Sequence, residues 1–490
     1  MIVTKTTFNN FRCFKEYELH YGSQTTVFIG KNGSGKSSIL SAIKRGLSFM
    51  FVRSKSFRHS LTTSNNARVR SYGLGEANFD PISRRFNYPI KNDFYGLFNA
   101  RPIDWSFQKN TENAPILASQ YSEALNTVLL EYNEVENLTL PVLLVISDSF
   151  PHQEIDPSDK MMERFTMEVV PRDLAYYGWD ERASYTKLWL ERYYKISDSE
   201  QKVMFDIDAL EQQIDLYQAR IGNKDDADKD QLTEWQETIE QLEENLERLK
   251  NDKRKQSFSR EKEYIHKKLI GFTATLEKNY DFINEDFQLY RIATGRTDTG
   301  KSTMEFSFKD GRVMAFNALP MGYRRIFAIV IDIAYRSYIL NEGTESSGIV
   351  LIDEIELHLH PTLQQEVLQR LRTIFPKIQF IVTTHSPLII SNFAANKDNL
   401  LIKLEQEGNK YVNKVQDNLY GLNYATNLSK IMETAPRSST IDRYIDGYLF
   451  QFGRNKKKEA GEILDKLREY IGGELPKALL EEIEEKKKDY

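Results

Sequence analysis

Two glycine–lysine loops in this chain have the residue types to hold a phosphate. Residues 30–37 (GKNGSGKS) and 295–302 (GRTDTGKS) both satisfy G-x-x-x-x-G-K-[ST]. The pattern makes a cradle only where a strand delivers the chain, glycines let backbone N–H groups curl round an anion, and a helix points its positive end at it. The first loop has all three. TTVFI before it reads as a buried strand, and SSILSAIKRGL after it carries Ile39, Leu40, Ile43 and Leu47 at helical spacing. Gly30, Lys31, Asn32, Gly33, Ser34, Gly35, Lys36, Ser37 and Ser38 would then wrap the phosphates of ATP. Lys36 would reach the β and γ phosphates, and Ser37 would hold Mg²⁺. After the second loop, Met304, Phe306 and Phe308 alternate as in a strand, so that loop reads as a turn between strands.

An acidic partner lies more than 300 residues downstream. In GIVLIDEIELHLHP, residues 349–352 form a strand too apolar to face water, ending in Asp353 and Glu354. Consecutive strand residues point oppositely, but at a strand exit both can bend toward one cleft. Asp353 would assist Mg²⁺ through water, and Glu354 would act as general base on the attacking water. The plainer reading is a strand end with solvated acids. KIQFIVTTHSPLII supplies another buried strand ending in His385, whose imidazole could meet the γ phosphate and the water; an isolated histidine is usually structural. The intervening helix puts Leu363, Val367, Leu368 and Leu371 on one face. Strand, helix and strand in this order imply an α/β fold with a parallel core sheet. His358 and His360 fit loop geometry and subunit contact better than metal binding, for want of a third ligand.

Composition narrows the class. With 490 residues the chain has room for more than one domain, and a hydrophobic fraction of 40% can bury a core. Lys and Arg number 66 against 71 acidic residues, so net charge gives no reason to expect nucleic acid. A DNA contact would need local patches, Arg58/Arg68/Arg70 or Lys456/Lys457/Lys458, which read equally as solvated faces. Cys13 is the sole cysteine, which excludes an internal disulfide and a Cys-built zinc site and suits a reducing, cytoplasmic setting. No stretch reads as a signal peptide or a membrane span; IFAIVIDIAY is too short and contains Asp332.

The order of these motifs, with FNNFRCF near the start, DExxxHLHP and TTHSP, resembles ABC-type ATPases of the SMC and RecF kind. More narrowly it resembles the AAA-family branch containing OLD-type and PtuA-like antiphage ATPases. The resemblance implies an ABC-type P-loop head and a homodimer or larger assembly. It also implies an L-S-x-G signature that touches the γ phosphate held by the other subunit. The matching stretch is ALPMGYRR: Leu319 and Gly322 fit, but Pro320 stands where serine is expected and brings neither hydroxyl nor N–H. Slow hydrolysis is the expectation. Arg324 and Arg325 are either reinforcements for the partner's phosphate or surface ion-pairing residues. No glutamine is identifiable as a γ-phosphate sensor.

The elements between and after these motifs divide the chain into residues 1–200, 201–270, 271–400 and 401–490. The first and third make the head, with a loop-rich insert at about 50–115 and a core strand in TLPVLLVISDS. Ile207, Leu210, Ile214, Tyr217 and Ile221, then Leu232, Trp235, Ile239, Leu242, Leu246 and Leu249, step by three and four. They predict a short antiparallel coiled coil with its tip at 224–229 and arms of about 25–30 Å; partner docking and structural bracing are equal uses for it. The basic stretch NDKRKQSFSREKEYIHKK reads as a helix facing solvent or meeting phosphate. The last part reads as helical, with two amphipathic helices broken by GGELP and with Asp442 and Asp446 as a helical pair. An OLD-type Toprim nuclease would need an Asp-x-Asp strand end beyond Glu405 and Glu407, and none follows. The tail, including YGLNYATNLSKIMETAPR, instead resembles PtuA-like ATPases of Septu and retron systems, whose cutting partner is a separate HNH nuclease, PtuB. The function implied is an ATP-dependent sensor or regulator of such a nuclease, with a retron reverse transcriptase and its DNA as further candidate partners. The rivals are a RecF-like DNA-repair clamp, a transporter motor, and a self-contained nuclease using Glu405.

Overall fold

The computed structural model describes every residue except 52–71, 115–138, 148–158, 168, 181–185, 223–228, 252, 275–287, 297–299, 409, 418, 422–430, 432–436 and 490. An antiparallel ribbon, β1 (Ile2–Phe11) and β2 (Phe14–His20), leads into β3 (Thr25–Ile29) and α1 (Lys36–Leu47). A small hairpin, β4 (Phe79–Asp80) and β5 (Arg85–Phe86), precedes β6 (Ile90–Phe98), β7 (Arg101–Lys109), β8 (Val142–Ile146) and α2 (Asp159–Phe165). Three long helices follow, α3 (Thr186–Gly222), α4 (Lys229–Lys250) and α5 (Lys253–Thr273). Then come β9 (Leu289–Arg296), β10 (Ser302–Phe308), β11 (Val313–Ala315), α6 (Met321–Asn341), β12 (Gly348–Ile352), α7 (Pro361–Ile374) and β13 (Ile378–Thr383). The first compact unit, Met1–Tyr420, ends with α8 (Pro387–Ser391), β14 (Asn399–Glu407) and β15 (Lys410–Val415). The second, Gly421–Tyr490, holds α9 (Ser439–Gly453), α10 (Lys457–Ile471) and α11 (Lys477–Lys486).

The centre of the first unit is a six-stranded sheet in the order β15-β14-β3-β13-β12-β8. All neighbours are parallel except β15, which is antiparallel to β14. Every residue of β3, β12 and β13 is buried, as a sheet covered on both faces requires. The expected α/β fold with a parallel core is what forms, and α7 is the crossover between neighbours β12 and β13. Parallel pairing aligns the carboxyl ends of β3, β12 and β13, where ligands collect in such sheets. Gln379, fully buried on β13, ties the β1 ribbon to this core. Its Oε1 accepts from the Val3 N–H at 2.8 Å, and its Nε2 donates to the carbonyls of Val3 and Gly22 at 2.8 and 2.7 Å.

Part of the segment expected as loops, about 50–115, is instead sheet. β6 and β7 pair beside β1 in the order β2-β1-β6-β7. The inward row of β6 is Ile90, Asn92, Phe94, Gly96 and Phe98, so an amide and a glycine interrupt the apolar alternation. Asn92 donates to the buried Tyr72 hydroxyl at 2.8 Å, while Gly96 admits the β1 backbone closely. The row Ile103, Trp105 and Phe107 on β7 is the readable half of the same hairpin.

The coiled-coil insertion is present but longer than the spacing predicts. α3 has 37 residues and α4 has 22, or roughly 55 and 33 Å at the α-helical rise. The pattern runs on because α3 starts at Thr186, and its first turns bury Leu188, Trp189, Leu190 and Tyr193 in the head rather than in the seam. Residues 224–228 of the expected tip lie outside the described residues. The basic helix α5 is not a solvated face throughout, since Glu261, Ile265, Leu269 and Phe272 are buried. Arg192 of α3 pairs with Glu261 through Nε–Oε1 at 2.6 Å and Nη2–Oε2 at 2.5 Å, both side chains being at most 3% exposed. Trp189 stacks on Tyr335 of α6 at 5.3 Å, and Arg370 of α7 donates to the carbonyls of Phe272 and Ala274 at 2.6 and 2.7 Å.

The helical region expected from residue 401 starts later, because β14 and β15 complete the core sheet. After Tyr420, Ile445, Tyr448, Leu449, Leu467, Leu475 and Ile483 form a core of their own, and α10 and α11 break at the GGELP segment. Most of the tail stretch 422–436 lies outside the described residues. Lys456 pairs with Glu459, so that member of the basic run is a solvated helix end. Among the described residues no helix is long and apolar enough to cross a membrane.

The Arg192–Glu261 pair gives a direct check on how the insertion is rooted. Glu261→Ala strands a buried guanidinium and is expected to cost about 3–5 kcal/mol, measured as a lowered denaturant midpoint followed by tryptophan fluorescence. An unchanged midpoint would show that the helices are rooted by other contacts.

Candidate functional site

β3 carries the chain out of the buried sheet at Gly30, and α1 starts at Lys36. The turn between them needs glycine at residue 35. Its φ is +96°, and a Cβ there would lie 2.6 Å from the Phe14 ring. No side chain caps α1 and its first turn holds no acid, so its leading N–H groups and its dipole are left to an anion. Ser34 Oγ is buried with no partner among the described residues. Lys36 Nζ donates to the carbonyls of Gly30 at 2.8 Å and Lys31 at 3.1 Å, which hold the ammonium across the loop. Asn32, Gly33, Ser34, Gly35, Lys36, Ser37 and Ser38 line a cavity of about 670 Å³, together with Asp353, Glu354 and His385. A triphosphate fits these donors, and the Ser37 hydroxyl facing a carboxylate suits Mg²⁺.

The acidic side is shaped by backbone. Asp353 N–H donates to the Ile146 carbonyl of β8 at 2.9 Å, and its Oδ1 accepts from the Thr383 hydroxyl at 2.5 Å. Glu354 N–H donates to the same hydroxyl at 2.9 Å, and Glu354 has φ of +48°. This left-handed residue is how adjacent carboxylates come to line one cavity. The strain is held by Arg325, which is 2% exposed and donates to the carbonyls of Leu357 at 2.5 Å and Glu354 at 3.0 Å. Arg325 is therefore neither a surface ion-pairing residue nor a reinforcement for another subunit's phosphate; it clamps α6 to the loop after β12.

His385 follows β13, and its N–H donates to Glu356 Oε1 at 2.5 Å. Burial pushes its imidazole below the usual range and Lys36 adds to this, against Glu356 and Asp353. The ring is thus neutral near pH 7. Burial likewise lowers Lys36, opposed by Asp353, Glu354 and Glu356. The electrostatics suit an added anion, which would relieve the desolvated ammonium.

Gly322 is not brought to this cavity. It packs against its own chain, where a Cβ would lie 2.6 Å from the His358 carbonyl; Pro320 stands before α6 without a side-chain cap. The second glycine–lysine loop joins antiparallel β9 and β10, with no helix after it. Glu405 sits on β14 between Lys403 at 2.7 Å and Lys414 at 2.6 Å, and Lys414 also pairs with Glu407. His358 and His360 are exposed, and the His360 ring meets Thr362 at the start of α7. Sequence reasoning missed Arg12, Cys13, Phe79 and Phe86, which also line the cavity, and Glu356 behind His385. Only Arg12 and Cys13 had a signal, lying within FNNFRCF at the β1–β2 turn.

Removing the Arg325 clamp tests this construction without assuming any activity. Arg325→Met leaves the Glu354 and Leu357 carbonyls without their donor and is expected to cost about 2 kcal/mol or more, read as a lower thermal unfolding midpoint. Stability at the wild-type level would show that the loop holds its own shape.

With this geometry in view, comparisons with known proteins place the chain. Residues 1–390 match the family described as AAA ATPase domain. The "Retron Vc95 probable ATPase" of Vibrio cholerae serotype O1 biovar El Tor is 27% identical over 78% of this chain and 69% of its own length. The "Retron Ec83 probable ATPase" of Escherichia coli is 24% identical over 87% and 75%. The Septu protein PtuA of Bacillus mycoides is 34% identical over 31% of this chain and 22% of its own length. Among solved structures, the Pyrococcus furiosus Smc head domain with an extended coiled coil, bound to the C-terminal domain of ScpA, is 13% identical. It covers 85% of this chain and 96% of that one at a TM-score of 0.43. The chain belongs to the AAA ATPase domain family, and its curated relatives are retron and Septu ATPases of the PtuA-like, antiphage kind.

Proposed function

We propose that the cavity binds ATP with Mg²⁺ and hydrolyses it slowly, and that this chain is the sensor or regulatory ATPase of an antiviral complex controlling a separate nuclease. The observation that carries the chemistry is the shared lining. Residues 32–38, 353, 354 and 385 come from distant parts of the sequence yet face one space. The Lys36 ammonium and the N–H groups opening α1 bind the phosphates. Mg²⁺, taken by Ser37 and through water by Asp353, would neutralise charge on the phosphate oxygens. Glu354 accepts the proton of the attacking water, and the neutral His385 imidazole donates a hydrogen bond to the γ phosphate.

Two copies would close across Gly322, whose helix start offers a positive end to the ATP of the other copy. Pro320 removes a hydroxyl and an N–H from that contact, which favours ATP as a clamp over ATP as a fuel. The likeness to retron and Septu ATPases supports a defence role, an HNH nuclease of the PtuB kind as partner, and a retron reverse transcriptase with its DNA as further company. The cytoplasm is the setting these partners need.

Three substitutions separate the roles. Lys36→Ala is expected to weaken ATP binding about 10- to 100-fold. Glu354→Gln should keep ATP bound while slowing turnover about 100-fold or more. Lys301→Ala, in the downstream look-alike, should leave both unchanged. Loss of nucleotide through Lys301 with Lys36→Ala still binding would end the assignment. For the biological role, expression with the neighbouring gene product should give a stable complex. A chain that purifies alone and grips duplex DNA only with ATP would favour a repair clamp instead.

A further inference from the structure

The β4–β5 hairpin is too short to hold itself and exposes two aromatic rings, an arrangement that a folding role does not explain. Phe79 is 49% and Phe86 43% exposed, and they face each other across the hairpin at 5.3 Å in an edge-to-face pair. Both rings line the same cavity as Lys36 and Glu354. Exposed apolar rings inside a cavity whose remaining wall is polar need a ligand with one charged end and one flat end.

The hairpin is also fixed to the phosphate loop. Arg12 N–H donates to the Glu76 carbonyl at 2.7 Å, and Asn78 Nδ2 donates back to the Arg12 carbonyl at 2.8 Å. The Arg12 guanidinium reaches Glu76 Oε1 at 3.1 Å and Ser41 Oγ of α1 at 3.2 Å, so one side chain joins the stem of the hairpin to the helix that receives the phosphates. Asn87 N–H closes the stem on the Asn78 carbonyl at 2.7 Å. The rings therefore stand at a set position relative to α1 without any conformational change.

We infer that Phe79 and Phe86 form the base-binding wall of the nucleotide site, stacking a purine ring while the loop at residues 30–38 holds the phosphates. This rests on the nucleotide reading above and adds its substrate class. A purine covers more of the two-ring platform than a pyrimidine does, so the site selects purine nucleoside triphosphates over pyrimidine ones.

Binding of four probes to the full chain in the presence of Mg²⁺ separates this inference from its premise. The probes are ATP, GTP, CTP and inorganic tripolyphosphate, which has phosphates and no base. Wild type should bind ATP and GTP more tightly than CTP, and CTP more tightly than tripolyphosphate. Phe79→Ala and Phe86→Ala should each weaken ATP and GTP about 5- to 100-fold and leave tripolyphosphate unchanged, while Phe79→Trp restores purine binding. Unchanged ATP affinity in both alanine variants overturns the inference while leaving the phosphate site intact, and would give the rings to a protein partner. An equal loss of ATP and tripolyphosphate also overturns it, because the hairpin would then only support the loop. If wild type binds neither ATP nor tripolyphosphate, the nucleotide reading itself fails.

Discussion

The structure depends on one pairing, that of β3 with β13 in parallel. Four residue pairs, from Phe380 with Thr25 to Thr383 with Phe28, set the exit of the glycine loop beside the exit of the strand that carries His385. β12 then adds on the far side of β13 with Asp353 at its end. A slip of one residue would turn these buried β-branched rows outward, so burial itself fixes where the charged groups stand. The site is a by-product of register: a lysine, two carboxylates and an imidazole meet because the apolar rows beneath them admit one alignment.

This is also why so much could be read in advance. Runs such as TTVFI, GIVLI and IQFIVT are buried on both faces and announce themselves as central strands, and each ends in a polar residue that the sheet must place at its rim. The strands of the second sheet are harder to see. β6 points an asparagine and a glycine inward, and both are accounted for by neighbours far off in sequence, Tyr72 and Ile2. β14 is legible as a strand in NLLIKL, yet nothing local says that it pairs with β3, nearly 400 residues away. The start of α3 was obscured because its apolar residues serve the head at one end and the coiled coil at the other, with no single stripe.

The least legible residues in the site are those that act through the backbone. Arg325 looks like an ordinary surface arginine in ALPMGYRR, and only burial shows that it caps carbonyls of the segment after β12. Glu356 is one of several acids in DEIEL, and its hold on the His385 N–H depends on a turn that the sequence does not specify. Such partners are set by the path of the chain. A motif lists side chains that meet a ligand, and it is silent about those that keep the motif in shape.

The clamp has one more consequence. Trp189 at the root of the coiled coil lies flat on Tyr335 of α6, and Trp189 Nε1 also donates to Asp332 at 2.8 Å. The same helix, one end of which carries Gly322 against the His358 carbonyl, grips the peptide of Glu354 through Arg325. Rigid parts therefore run without a break from the arms to the carboxylate. A pull on the arms would reach Glu354 as a displacement of its main chain, and the linkage would carry force rather than charge: this ATPase is geared to feel strain.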